Sequence, residues 1–339
     1  MMAANSDISL DAMCIEKAEL GTLVKIAEGG QAIIYRLPDL HLGDDVPLVA
    51  KLYRSKVLPI PRVGLARLVK FRMDQDPKVR AQLDRYYNWP IRVVIERGQA
   101  VGCVVPLLLD RFFHDFTSLT GRPSRRVVEV QHLFVPESRN RQVGLAHANH
   151  TQRLSVCYEA ARAYAILHST GMVYGDMNAR NLLVSLRPHP TVVFVEGDAL
   201  RRSGSSAVVP QVQTPDWFVP EMAKAQSEQT DCYKLGLLIL RTLTPGPGSS
   251  INRDPETIGD KLDRDGRQLL RRALGNSRDH RPHAREWANH FRETLIGRRA
   301  PRPEVGDLTA DTTTSVPRVD ADVTKGDAWV RRNGKWEPR

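Results

Sequence analysis

The 339 residues are 41% apolar and 26% charged, a balance that supports a sizeable core and argues against wholesale disorder. The net charge of +10 comes from scattered basic residues rather than blocks of like charge, so nucleic acid is not an expected partner. No apolar run approaches the roughly 20 residues of a membrane span, the first residues lack a basic-then-apolar signal, and the four cysteines form no CxxC pair. The expected setting is soluble, reducing and cytoplasmic.

Residues 1–19 are polar and read as a flexible N-terminus. From Leu20 the runs LGTLVKI, QAIIYRL and PLVAKLY are β-rich, split by EGG and by PDLHLGDDVP. Residues 54–64 hold Pro59 and Pro61 and read as a loop, and GLARLVKFRM has helical spacing that stops before Pro77. IRVVIE and AVGCVVPLL are two more strands around ERGQ. The first 110 residues thus predict five strands and one helix. The stretch 111–150 is basic and irregular. TQRLSVCYEAARAYAILH then predicts an amphipathic helix, and TDCYKLGLLILRTL, apolar nearly all round, a buried one. GRQLLRRAL and AREWANHFRETLI predict two further helices. After Gly297 the composition shifts to that of a linker, and DAWVRRNGKWEPR places an Asn-Gly turn between two Trp-bearing arms, the pattern of a small hairpin.

Chemistry concentrates in LHSTGMVYGDMNARNLLVSLRPHPTVVFVEGD. Asp176 precedes Asn181 by five residues, an apolar run follows, and a second strand ends in Glu196-Gly197-Asp198. A carboxylate and an amide on one tight loop, facing further carboxylates, are the groups needed to receive a hydroxyl proton and to present oxygen ligands to a hard cation. An Asx-rich turn would place Asp and Asn there as well, with only backbone to bond.

At these residues the chain resembles the eukaryotic-type protein kinase family. The family's HRDxxxxN loop corresponds to Tyr174-Gly175-Asp176 through Asn181, with His168 eight residues before the aspartate. VAK at 49–51 resembles the VAIK motif, IAEGGQAIIY the glycine-rich loop, TPDWFVPE at 214–221 the end of the activation segment, TDCYKLG at 230–236 the start of the buried central helix, and RPHAREW at 281–287 the RPxAxEL near the domain end. The six motifs occur in the family's order across residues 20–296. GDxNxxN followed by an acidic pair is similar to a bacterial branch of that family.

The resemblance implies an α+β fold of two lobes, a small β-rich lobe over 20–109 and a larger helical one over 110–296, followed by a linker and short tail over 297–339. It implies ATP- and Mg²⁺-dependent transfer of the γ-phosphate to Ser or Thr of a protein, with Asp176 as the catalytic base and Lys51 pairing the phosphates. Nucleotide would be held by Ala27, Gly29, Gly30, Ala50, Lys51, Val105 as gatekeeper, the backbone of Pro106 and Leu108, and Leu183. Metal would be held by Asn181, Asp198 and Glu196. Glu221 and Arg281 would form a structural ion pair, Asp231 would tie the catalytic loop to the central helix, and Thr214 would contact the catalytic aspartate. Relatives in the branch are sometimes accompanied by a phosphatase or a von Willebrand-type partner.

The chain departs from the pattern at four places. Gly175 replaces the arginine of HRD, Asn178 replaces a lysine, EGD replaces DFG, and no glutamate lies between Lys51 and Glu96 to pair with the lysine. The altered EGD and the missing glutamate carry one alternative, a pseudokinase serving as a nucleotide-binding or scaffolding module; a second alternative is a small-molecule phosphotransferase on the same fold.

Overall fold

The computed structural model describes residues 9–43, 46–117, 123–209, 214–221, 225–299, 329–332 and 335–338. The segment 1–8, part of the serine-bearing loop (210–213), the linker stretch 300–328 and the Asn333-Gly334 turn lie outside the described residues.

The first part is a six-stranded sheet. Its strands are β1 (Cys14–Glu16), β2 (Val24–Glu28), β3 (Ala32–Leu37), β4 (Leu48–Tyr53), β5 (Arg92–Glu96) and β6 (Gln99–Pro106), in the spatial order β1-β5-β6-β4-β3-β2. β1 runs parallel to β5, and the other pairs are antiparallel. Side chains alternate across a strand, and the two faces bury different sets. Ile26, Val49, Cys103 and Val105 cluster on one face, while Leu37, Leu48, Ala50 and Val104 cluster on the other. Helix α1 (Arg62–Met73) lays Leu65 and Val69 against Tyr53, Val93 and Ile95.

Two elements here differ from the sequence reading. The chain is part of the sheet from well before Leu20: β1 pairs Cys14 with Val93, and Met13 is buried in the α1 cluster. A three-residue parallel strand leaves too little alternation to be read. Helix α2 (Pro77–Tyr86) was also not expected. Its start is set by Asp76, whose side chain accepts from the Lys78 amide, with Pro77 at the first helical position, where a missing N–H costs nothing.

The second part is mainly helical. It holds β7 (Phe113–Thr117), β8 (Pro123–Val127), α3 (Glu137–Gln142), α4 (His150–Ser169), β9 (Met172–Val173), β10 (Leu182–Ser185), β11 (Thr191–Phe194), β12 (Arg201–Arg202), α5 (Glu228–Leu243), α6 (Arg264–Leu274) and α7 (Ala284–Arg299). Capping boxes start α4 at Asn149 and α5 at Ser227, each satisfying orphan amides of the first turn. α4 and α5 bring Leu154, Tyr164, Leu167, Leu237 and Leu240 into one core, which α6 and α7 close with Leu270, Trp287 and Phe291. β10 pairs with β11, and β12 with β9. The irregular stretch 111–150 holds the β7–β8 pair. β13 (Trp329–Arg332) and β14 (Lys335–Pro338) pair antiparallel, and β14 meets β8 at Trp336 opposite Arg125.

The whole is a mixed α+β arrangement, a β-rich sheet followed by a helical body, compatible with a two-lobed fold. Among the described residues no helix is long and apolar enough to cross a membrane. The two parts are joined through aromatic packing: Tyr87, just after α2, stacks on Phe194 at 5.0 Å, and Phe194 also meets Tyr164 and Tyr174.

Candidate active site

Lys51 stands near the end of β4 and is 7% exposed. Its ammonium donates to both Asp198 oxygens at 2.8 Å and to Glu196 Oε2 at 2.5 Å. Burial works against that positive charge, but Asp198 and Glu196 outweigh it and raise the lysine pKa. Two residues along the same face of β4, Tyr53 donates its hydroxyl to Asp198 Oδ2 at 2.6 Å. Asp198 is thus 3% exposed yet held by an ammonium and a phenol, as a buried carboxylate requires. With no helix glutamate in reach by sequence, Lys51 pairs with Glu196 and Asp198 instead.

The EGD turn has a backbone that few sequences allow. Glu196 adopts φ +58, a left-handed conformation uncommon outside glycine. At Gly197 a Cβ would stand 2.2 Å from the Asn88 carbonyl oxygen, so only glycine lets the turn pack beneath the end of α2. The Asn88 amide fixes the same junction by donating to the Phe194 carbonyl at 2.9 Å.

Asp176 follows β9 on a loop closed by Asn181, whose Nδ2 donates to the Asp176 carboxylate and to its carbonyl, both at 2.9 Å. Burial, then the Glu196 charge, push the Asp176 carboxyl up to about 6, against the pull of Lys234, Arg201 and the Asn181 hydrogen bond. The loop is anchored from below by Asp231 of α5, which accepts from the Tyr174 amide at 2.7 Å and the Gly175 amide at 2.8 Å. Lys234, one turn on, donates to the Gly175 carbonyl at 2.7 Å. Gly175 has φ +72, and a Cβ there would collide with Gln226 and crowd the Arg201 guanidinium. Where the resemblance implies an arginine side chain, the space is already taken.

A cavity of about 560 Å³ opens between the sheet and the helical body. Lys51, Glu196, Gly197 and Asp198 form its charged end, and Ile26, Ala27, Ile34, Val49, Val105, Pro106, Leu107, Leu108, Leu183 and Val195 its apolar walls. Of the residues expected to hold nucleotide, Ala27, Lys51, Val105, Pro106, Leu108 and Leu183 line this cavity. Ala50 does not: strand alternation turns it to the opposite face, among Leu37, Leu48 and Val104, and gives its place to Val49. Gly29 and Gly30 form the β2–β3 turn, where the Gly29 amide donates to the Ala32 carbonyl, and neither lines the cavity. Asp176 and Asn181 are not among the lining residues either. The Glu196 charge acts on Asp176, and the Val195 amide donates to the Asn181 backbone carbonyl at 2.9 Å.

Several lining residues went unread in the sequence. Ile26, Ile34 and Val49 follow from period-2 alternation once Lys51 is placed on the inner face. Phe113, Phe116, Arg126, Glu129 and His132, from the stretch that showed no clear pattern, extend the cavity. Burial, helped by nearby Arg126, lowers the His132 pKa to about 4. The structural pair is in place: Arg281 donates to the two Glu221 oxygens at 2.8 and 2.7 Å. Thr214 is exposed, and among the described residues no hydrogen bond joins it to Asp176.

No protein-family model matches the chain. Over 94 residues, 27% of its length, the chain is 27% identical to the serine/threonine-protein kinase CST20 in two strains of Candida albicans. The matched stretch amounts to 8% of that kinase. A short part of the chain is thus similar to a serine/threonine kinase.

Proposed function

We propose that the chain transfers the γ-phosphoryl group of ATP to serine or threonine hydroxyls of a protein. The observation that carries this reading is the convergence on Glu196. The apolar cavity ends at Glu196, Lys51 and Asp198, and the Glu196 charge also acts on the Asp176 carboxyl that Asn181 holds. The cavity walls suit a purine between Ile26 and Val49 on one side and Leu183 on the other. The edge at Pro106–Leu108 supplies backbone for the base. Lys51 suits the phosphates, and Asp176, as a carboxylate, suits the proton of the attacking hydroxyl.

Magnesium fits the donors present. Asn181 uses its side-chain nitrogen on Asp176 and leaves its side-chain oxygen Oδ1 over, and Glu196 and Asp198 add carboxylate oxygens, a hard donor set. When bound, the ion would neutralise phosphate charge. Lys51 would release part of its hold on the two acids as phosphates take it up. A protein substrate is favoured over a small molecule by 214–221, which resembles the segment that carries peptide in the kinase family.

One observation favours a second reading, a nucleotide-binding module without transfer. Lys51 is saturated by Glu196 and Asp198 and has no helix glutamate to hold it otherwise. The deciding experiment incubates the full chain with radiolabelled ATP, with and without Mg²⁺, beside the Asp176→Ala variant, with mass spectrometry for the phosphorylated residue. Mg²⁺-dependent labelling lost in Asp176→Ala supports transfer. ATP-dependent thermal stabilisation with no labelling supports the binding module. Equal labelling in the variant removes Asp176 from the chemistry.

A further inference from the structure

Where the end of α4 meets the first turns of α5, three side chains of metal-ligand type converge. His168 ends α4, and Glu228 and Cys232 lie four residues apart on one face of the first turns of α5. A ring nitrogen of His168, a Glu228 carboxylate oxygen and Cys232 Sγ all lie within 4.8 Å of one another.

His168 is poised to give up a lone pair. Its Nε2 meets Asp231 Oδ2 at 3.2 Å, and a carboxylate only accepts, so the proton sits on Nε2. In the neutral ring that a metal ligand requires, Nδ1 then carries the lone pair. It is buried without a hydrogen-bond partner on a side chain 5% exposed, and it lies 3.6 Å from Glu228 Oε1. Such an orphaned buried nitrogen needs a partner.

Each of the three donors is also held from behind. Asp231 fixes the His168 ring, His283 Nδ1 meets Glu228 Oε1 at 2.6 Å, and the Ala284 amide donates to the Cys232 sulfur. Outer partners of this kind orient metal ligands and set the histidine tautomer.

We propose that His168, Glu228 and Cys232 bind one divalent cation of the zinc class. Nitrogen, oxygen and thiolate donors on a tetrahedral ion would stand about 3.3–3.6 Å apart, given usual zinc–ligand bond lengths, so modest side-chain rotation closes the set. A water takes the fourth position. The thiolate excludes magnesium, which selects oxygen ligands. The ion cross-links α4 to α5 one hydrogen bond away from Asp231, and through it braces the Tyr174–Gly175 backbone. The site is separate from the cavity and does not depend on the phosphotransfer reading.

The test uses the full chain, reduced, stripped with chelator and titrated in Mg²⁺-free buffer with Co²⁺ and then Zn²⁺. The expected result is thiolate-to-cobalt charge-transfer absorption that saturates at one equivalent, bleaches on adding zinc, and is accompanied by a rise in melting temperature. Cys232→Ser abolishes the absorption, Glu228→Gln weakens binding by at least the roughly tenfold that loss of even an outer partner costs, and Cys14→Ser, at the half-exposed thiol on β1, changes neither. Glu228 is partly exposed, so its variant keeps the fold, which the metal-free melt checks. Absence of the absorption in the parent chain, its persistence in Cys232→Ser, or zinc affinity unchanged in Glu228→Gln overturns the proposal.

Discussion

Tyr53 donates its hydroxyl to Asp198 across 145 residues of sequence, at 2.6 Å, beside the Lys51 ammonium that grips the same carboxylate. Burial and the Asp198 charge raise the Tyr53 pKa, which keeps the phenol a donor throughout the neutral range. A hydrogen bond to a buried charge contributes about 1.5–3 kcal/mol. Tyr53→Phe should lower unfolding stability by that amount in urea titrations while leaving the fold intact by circular dichroism. An unchanged midpoint would show that Asp198 relies on Lys51 alone.

Lys51→Met removes the cation and leaves Asp198 buried with only a phenol. Breaking a buried pair from one side costs about 3–5 kcal/mol, and here Glu196, the more exposed partner, adds little to that. A second substitution, Asp198→Asn, removes the stranded charge and should restore part of the loss at pH 7. Urea midpoints of the parent, the two single variants and the double variant measure this. A double variant no more stable than Lys51→Met would refute the pairing.

Asp176 gives a pH signature of opposite sense to a stabilising carboxylate. Its folded pKa, about 6, lies above the ordinary 3.8, because burial and Glu196 favour the neutral acid. Between those values the folded state holds more protons than the unfolded one, so stability falls as pH rises through the window. The ionised group costs roughly 3 kcal/mol at pH 7 by the usual conversion of a pKa shift. Asp176→Asn should accordingly stabilise the protein at pH 7 to 8, have little effect near pH 4, and abolish any phosphotransfer. Transfer by the parent chain should rise with pH through about 6, since the carboxylate form accepts the proton. A variant no more stable than the parent at pH 8 would contradict the buried carboxylate.

How much of this was legible in the sequence follows from the range of each interaction. The strands and the long helices were readable, because alternation and three-to-four spacing are local. Helix α2 carried a local signal as well, the Asp76-Pro77 start, but its polar face masks the periodicity. At VAK the error was one of phase. Lys51 on the inner face requires Val49 and Tyr53 there too, and sends Ala50 to the other side. The Lys51–Glu196–Asp198 cluster was only partly legible: the missing helix glutamate left the EGD acids as candidates, but the Tyr53 donor depends on a contact across 145 residues. Arg201 and Gln226 crowding Gly175 were not legible at all, since nothing near Gly175 encodes which distant side chains fill its place.

The Glu221–Arg281 pair shows how a motif can be structural and still be strongly felt. The Arg281 side chain is fully buried, donates also to the Gln229 carbonyl at 3.0 Å, and lies over the Tyr233 ring at 4.9 Å. Burial pushes the Glu221 pKa up, but the Arg281 hydrogen bonds and charge outweigh it and leave the pKa lowered. A lowered carboxylate pKa stabilises the fold above the ordinary value and loses that contribution as pH falls through the folded value. Glu221→Gln keeps one acceptor for Arg281, whereas Arg281→Ala empties a buried site with three kinds of contact. The arginine variant should therefore lose about 3–5 kcal/mol, the glutamine variant clearly less, and the gap between Glu221→Gln and the parent should close in acid. Thermal melts at pH 7 and pH 4 distinguish this from equal losses in the two variants, which would mean that the arginine acts only through the ion pair.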